Sequence, residues 1–95
     1  MRAGVLSFPL TAFAADGSLD LDGCRAHVRA QVAAGPAALF PACGTGEFFS
    51  LTLEEYERVV RVAVEEARGL PVVGGIGYGW ALAAQFAGAA ERAGA

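Results

Sequence analysis

One pattern recurs three times along these 95 residues: a short apolar segment, a glycine-bearing loop and a helix with one apolar face. The segments start near Gly4, Ala37 and Pro71, roughly 33 residues apart, the length of one strand-plus-helix unit. That repeat narrows the fold more than any other feature, because strands that alternate with helices pair in parallel and return through the helices. Gly4–Phe8 reads as the first strand, and Pro9–Leu19 as a connection that turns at Asp16-Gly17. Asp20–Ala34 carries Leu21, Cys24, Val28 and Val32 at helical spacing, and Gly35 and Pro36 end that helix.

In the second unit, Ala37–Ala42 reads as a strand covered on both faces, Cys43–Glu47 as a loop and Phe48–Leu51 as one turn of helix. Thr52 and Glu55 form a capping box that starts a helix running through Arg68 and stopped by Gly69. Its inner face is Tyr56, Val59, Val60, Ala63 and Ala67. Its outer face pairs Glu54 with Arg58 and Glu57 with Arg61 in the favourable i, i+4 orientation. The third unit is strand Val72–Gly75, loop Ile76–Gly79 and helix Trp80–Ala93, facing inward through Leu82, Phe86, Ala89 and Ala93.

Composition adds a puzzle. Hydrophobic residues make 55% of the chain before its 13 glycines are counted, whereas a soluble domain reaches about 45–50% with glycine included. A domain this small buries proportionally little surface and should be more polar, not less. Three parallel strands also leave two open edges and an uncovered apolar face. The expectation is therefore an unfinished α/β fold that belongs to something larger, stopping where a fourth strand would begin. A membrane is the poorer explanation. The uncharged run Leu70–Ala90 is long enough to span one, but Pro71 and the cluster Gly74, Gly75, Gly77 and Gly79 make it a poor helix. The run Ala12-Phe13-Ala14-Ala15 imitates a signal-peptide cleavage site behind Arg2, yet Ser7 and Pro9 interrupt its apolar stretch.

Several chemistries are excluded. Net charge is −3 and the basic residues are seven scattered arginines, so nothing forms the basic stripe that nucleic acid requires. Without lysine the chain holds neither a Walker A motif nor a Schiff-base amine on a side chain. Cys24 and Cys43 read as reduced cytoplasmic thiols, and with His27 alone beside them they offer no metal site. His27 lies at the edge of the first helix and reads as structural. Dinucleotide binding fails too, because Phe49 and Trp80 stand where a third glycine should follow Gly44-x-Gly46 and Gly75-x-Gly77.

Ligands of parallel α/β folds bind at the carboxyl ends of the strands, here Phe8–Phe13, Cys43–Phe49 and Ile76–Trp80. The middle loop is the most informative. Gly44 and Gly46 flank Thr45 ahead of a helical turn, so backbone N–H groups and the Thr45 hydroxyl can converge on a carboxylate or phosphate oxygen. Glu47 would repel that anion and is expected to turn back and brace the loop through backbone N–H groups. From spacing alone, a plain glycine-rich turn with Thr45 as an N-cap is the simpler reading of the same residues. Phe48, Phe49 and Trp80 read as packing or interface residues.

The run Ser7-Phe8-Pro9-Leu10-Thr11-Ala12-Phe13, the run Gly-Pro-Ala-Ala-Leu-Phe at 35–40 and the run Gly-Thr-Gly-Glu-Phe-Phe-Ser-Leu-Thr at 44–52 resemble the dihydrodipicolinate synthase/N-acetylneuraminate lyase superfamily. Gly44–Phe49 and Gly77-Tyr78-Gly79 are most similar to its 5-dehydro-4-deoxyglucarate dehydratase branch. The resemblance spans essentially the whole chain. It implies the first three βα units of a TIM (β/α)8 barrel, an incomplete part of a fold of about 300 residues. It also implies a lyase that removes water and carbon dioxide from a small-molecule sugar acid through a lysine Schiff base, giving 2,5-dioxopentanoate.

By the same resemblance, that lysine and a catalytic tyrosine belong to later strands. These 95 residues are then expected to be inactive alone and to hold no catalytic residue, with the Thr45 hydroxyl the one candidate for a proton relay. Gly44, Thr45 and Gly46 would hold the substrate carboxylate and Glu47 would brace them. No cofactor or metal is implied, and the full-length family protein is expected to be a cytoplasmic homo-oligomer. Glycine at 44, where the synthase and lyase branches carry threonine or serine, favours the dehydratase branch. Three positions depart from the family pattern: Ala12 replaces a proline, Cys43 a small glycine and Trp80 a helix-capping threonine. The alternatives are another Schiff-base 2-keto acid lyase or aldolase of the superfamily, or a non-catalytic truncated module that only associates or binds carboxylates.

Overall fold

The computed structural model describes residues 4–95; Arg2, which precedes the signal-like run, lies outside them. The elements follow the expected order: β1 (Leu6–Ser7), α1 (Leu21–Ala33), β2 (Ala38–Leu39), α2 (Leu53–Glu66) and α3 (Trp80–Ala93), with a 3-10 turn at Phe48–Ser50. β1 and β2 pair in parallel, Leu6 opposite Ala38 and Ser7 opposite Leu39. The third apolar segment joins the other edge of β2. There the Leu39 N–H donates to the Pro71 carbonyl and the Val73 N–H to the Leu39 carbonyl, each at 2.9 Å.

The strand expected over Val72–Gly75 is thereby reduced to a single parallel bridge between Leu39 and Val72. Pro71 has no N–H to extend the ladder. Beyond Val73 the backbone presses against other parts: a Cβ on Gly74 would lie 2.6 Å from the Tyr56 hydroxyl, and one on Gly75 2.9 Å from the Ala42 carbonyl oxygen. The long first connection also gains detail that its sequence did not announce. Phe13 and Leu19 form an antiparallel bridge around the Asp16-Gly17 turn, where the Asp16 carboxylate accepts from both the Ser18 N–H and hydroxyl.

Helix ends follow their capping residues. Asp20 caps α1 by accepting the Gly23 N–H at 2.9 Å. The α2 capping box is complete, with the Glu55 N–H donating to Thr52 Oγ1 at 3.1 Å and the Thr52 N–H donating to Glu55 Oε1 at 2.9 Å. In α3 the cap position is Gly79, which supplies no side-chain bond. Trp80 is therefore the first helical residue rather than the replaced cap, and it stands 88% exposed.

α2 is the centre of the packing, touching α1 on one side and α3 on the other. Its expected inner face of Tyr56, Val59, Val60, Ala63 and Ala67 is buried, and Val62 joins it because a second helix covers that flank. One cluster gathers Val28, Leu39, Ala63 and Ala67 between α1, β2 and α2. The other gathers Phe48, Tyr56, Phe86 and Ala89 toward α3. Leu82 corrects the expected inward face of α3. It shares a stripe with Phe86, yet it is 47% exposed, because the first turn of that helix runs past its neighbours.

Ion pairs tie the helices outside the core. Arg25 reaches Glu65 and Glu66, each at 2.9 Å, and Glu57 bridges Arg61 on its own helix to Arg92 on α3. The Arg92 and Arg61 guanidinium groups hold the Glu57 carboxyl below the usual carboxylate range. The expected Glu54–Arg58 pair also forms. On the sheet, Ser7 is buried and donates its hydroxyl to Gln31 of α1 at 2.7 Å. Leu6 and Phe8 alternate with it, so they point away from the helices and remain exposed. Part of the apolar excess of the sequence is found here, on a sheet face left uncovered among the described residues.

Tyr56 is fully buried, edge-on to Phe48 and Phe86, and its hydroxyl has no hydrogen-bond partner among the described residues. Burial, with the nearby Cys43 adding to it, pushes its pKa up to about 12. Above pH 10 the unfolded tyrosine ionises while the folded one does not, so ionisation favours unfolding. Stability should begin to fall near pH 9, where the unfolded thiols of Cys24 and Cys43 ionise ahead of the buried ones, and fall further from about pH 10 to 12 as Tyr56 adds its share, as read by urea unfolding across that range. Tyr56→Phe should flatten the later part of the decline and leave neutral-pH stability equal or higher, since no bond is lost. Thr52→Ala should lower the unfolding free energy by about 1 kcal/mol in the same assay.

Candidate functional site

The three loops at the carboxyl ends of the strands meet around residues 42–49. The middle loop leaves β2 through Ala42, at φ 52°, and closes at Glu47, at φ 59°. Tyr78 in the third loop has φ 68°. Such left-handed conformations cost a residue with a side chain about 1–3 kcal/mol and tend to gather at functional sites. Two backbone bonds close the middle loop, Glu47 N–H to the Gly44 carbonyl and Phe48 N–H to the Cys43 carbonyl, both 3.0 Å. The N–H groups of Gly44, Thr45 and Gly46 have no acceptor among the described residues. Three successive free donors at one bend have the makings of an anion nest.

Gly46 is buried while Gly44 and Thr45 are exposed. The reason for glycine at 46 is contact: an added Cβ would lie 2.9 Å from the Ala42 nitrogen and 3.0 Å from the Pro9 carbonyl oxygen. Thr11 in the first loop donates its hydroxyl to the Gly46 carbonyl at 2.6 Å. The third loop closes the other side. A Cβ on Gly75 would meet Cys43 Sγ at 3.1 Å, and the Tyr78 hydroxyl donates to the Phe49 carbonyl at 3.0 Å. Phe48 packs in the core, whereas Phe49 is largely exposed.

Two expectations for this loop change. Thr45 is not an N-cap: the residue capping the 3-10 turn is Glu47, and the one capping α2 is Thr52. Glu47 is exposed and makes no side-chain capping bond. Its left-handed backbone, not its carboxylate, braces the loop, donating its N–H to Gly44 and accepting the Ser50 N–H at 2.8 Å.

The thiols beside these loops are neutral. Burial pushes the Cys43 thiol up, so it stays neutral at neutral pH, and the thiol points toward the Pro41 carbonyl. Burial likewise raises Cys24, which sits against the Ala12 backbone. Both cysteines are free. His27 accepts the Leu10 N–H at Nε2, 3.0 Å, and so pins the first loop to α1. Among the described residues no group of three His, Cys, Asp or Glu side chains comes together as a metal would need, and no helix is long and apolar enough to cross a membrane. A hollow of about 280 Å³ between α1 and α2, lined by Arg29, Val32, Glu66 and Arg68, lies away from these loops.

Known proteins share this fold. The profile of the dihydrodipicolinate synthetase family matches residues 1–95. The whole chain is 68% identical to a protein named probable 5-dehydro-4-deoxyglucarate dehydratase 2 from Streptomyces avermitilis, of which it covers 29%. Dihydrodipicolinate synthase from Bacillus clausii superposes with a TM-score of 0.89 at 37% identity, over 97% of this chain and 32% of that one. A prophage protein of the dihydrodipicolinic acid synthase family from Escherichia coli K12, solved in complex with pyruvate, gives 0.86 at 33% identity over 97% and 32%. The chain thus spans about a third of the length of the relatives it matches, and its three βα units are an incomplete part of their TIM barrel. Repeat, sheet order and a match along every residue lead to one assignment: the chain belongs to the dihydrodipicolinate synthetase family.

Proposed function

We propose that Gly44, Thr45 and Gly46 hold the carboxylate of a sugar acid in a lyase that converts 5-dehydro-4-deoxyglucarate to 2,5-dioxopentanoate. One water and one carbon dioxide leave the six-carbon acid, and the five-carbon product keeps one carboxylate. The observation that carries this reading is the row of three N–H groups without acceptors at the end of β2. Fixed donors of this kind bind a carboxylate without reorganising, which orients the neighbouring keto carbon for reaction. The Thr45 hydroxyl stands beside them as a further donor and the one candidate proton relay.

The choice of reaction follows likeness. Identity is 68% to the relative named a dehydratase and 37% to the Bacillus clausii synthase. A neighbour at 33% identity was solved in complex with pyruvate, which supports a 2-keto carboxylate as the class of ligand. The Schiff-base amine of this reading is a lysine outside these 95 residues, which hold none. The full-length enzyme would work in the cytoplasm as a homo-oligomer, consistent with two unpaired thiols and the exposed Phe49 and Trp80.

Pyruvate serves as the probe. Titration should move the amide resonances of Gly44, Thr45 and Gly46, and Thr45→Ala should weaken binding by about tenfold through loss of a hydrogen bond to a charged group. Borohydride added with pyruvate should trap no adduct on any side chain of this chain. Unchanged affinity in Thr45→Ala would remove the hydroxyl from the cradle, and a trapped side-chain adduct would overturn the placement of the amine.

A further inference from the structure

We infer that Thr11 is a positioning residue for the carboxylate cradle: from the first loop, its hydroxyl fixes the peptide that closes the nest of the second. The inference rests on the cradle reading above and adds to it a residue from a different βα unit.

The peptide joining Gly46 to Glu47 is held at both ends. Its carbonyl accepts the Thr11 hydroxyl at 2.6 Å, and its N–H donates to the Gly44 carbonyl at 3.0 Å. Glycine brings no side chain of its own to limit its torsions, so Gly46 needs restraint from outside. The Ala42 nitrogen and Pro9 carbonyl lie so close that they exclude any side chain at this position. That closeness does not by itself set the direction of the carbonyl. The Thr11 hydroxyl is what points that carbonyl away from the nest. If the peptide flipped, an acceptor oxygen would face the bound anion and the Glu47 N–H would leave Gly44, opening the turn.

Thr11 suits the task. It is half-buried, and β-branching leaves few χ1 rotamers to sample. Its own loop is anchored on either side, by His27 accepting the Leu10 N–H and by the Cys24 thiol paired with the Ala12 backbone. The Thr11 hydroxyl spends its proton on the Gly46 carbonyl, and its influence passes through that peptide.

The test is pyruvate titration of the whole chain, followed at the Gly44–Gly46 amides. Thr11→Val should weaken pyruvate by about fivefold, the worth of one neutral hydrogen bond, and should shift the Gly46 and Glu47 amides before any pyruvate is added. The ring signals of Phe48 and Tyr56 should stay in place. Thr11→Ser keeps the hydroxyl and should restore wild-type affinity. Thr11→Ala gives the same reading as valine without added bulk, should valine disturb the packing. Wild-type affinity in the valine and alanine variants overturns the inference while leaving the cradle intact, as does a serine variant that loses affinity equally. Absence of any pyruvate-dependent shift in the wild-type amides overturns both together.

Discussion

Three backbone segments are brought into register at one residue. Leu39 lies opposite Ser7 on one side and bridges Val72 on the other, giving its N–H to Pro71 and accepting from Val73. Its side chain is fully buried beneath α1 and α2. Everything at the site depends on this alignment. Parallel strands in register deliver their carboxyl ends to one level, and the three loops then meet because they start from the same height. A slip at Leu39 would reverse the face each side chain presents and separate Thr11 from Gly46.

The helices were legible from the amino-acid sequence because their determinants are local. Asp20, Thr52 and Glu55 sit within a few residues of the N–H groups they cap, and Tyr56, Val59, Val60 and Ala63 repeat with the helical period. Strand extents were not legible, since a ladder ends where its partner turns away, and Pro71 and Gly74 cut the third segment to one bridge. Leu82 has the right period and no neighbour to meet. At the site, Gly44, Thr45 and Gly46 were visible as a motif, whereas Thr11 was not: its bond spans 35 positions between two loops. The orientation of Glu47 also escaped, because a residue type says nothing about a left-handed backbone.

Glycine works here chiefly by allowing contact. Gly46 lets the first loop touch the second, Gly75 lets the third touch Cys43, and Gly74 passes against the Tyr56 hydroxyl. These approaches exchange the conformational freedom of glycine for a tight junction of three loops, and the aromatic cluster of Phe48, Tyr56, Tyr78 and Phe86 fills the space below it. The ion pairs of Arg25, Glu57 and Glu66 stand on the helix surfaces away from this junction and act on how helices sit together.

Because the cradle is made of main-chain amides and one hydroxyl, none of its donors changes charge near neutrality, and the Cys43 thiol beside it stays protonated. On the reading proposed above, these donors keep their polarity whatever the state of the guest. Most single side-chain replacements cannot erase an amide donor either, so a corner built this way would serve as a generic handle, with the choice among acids left to side chains elsewhere.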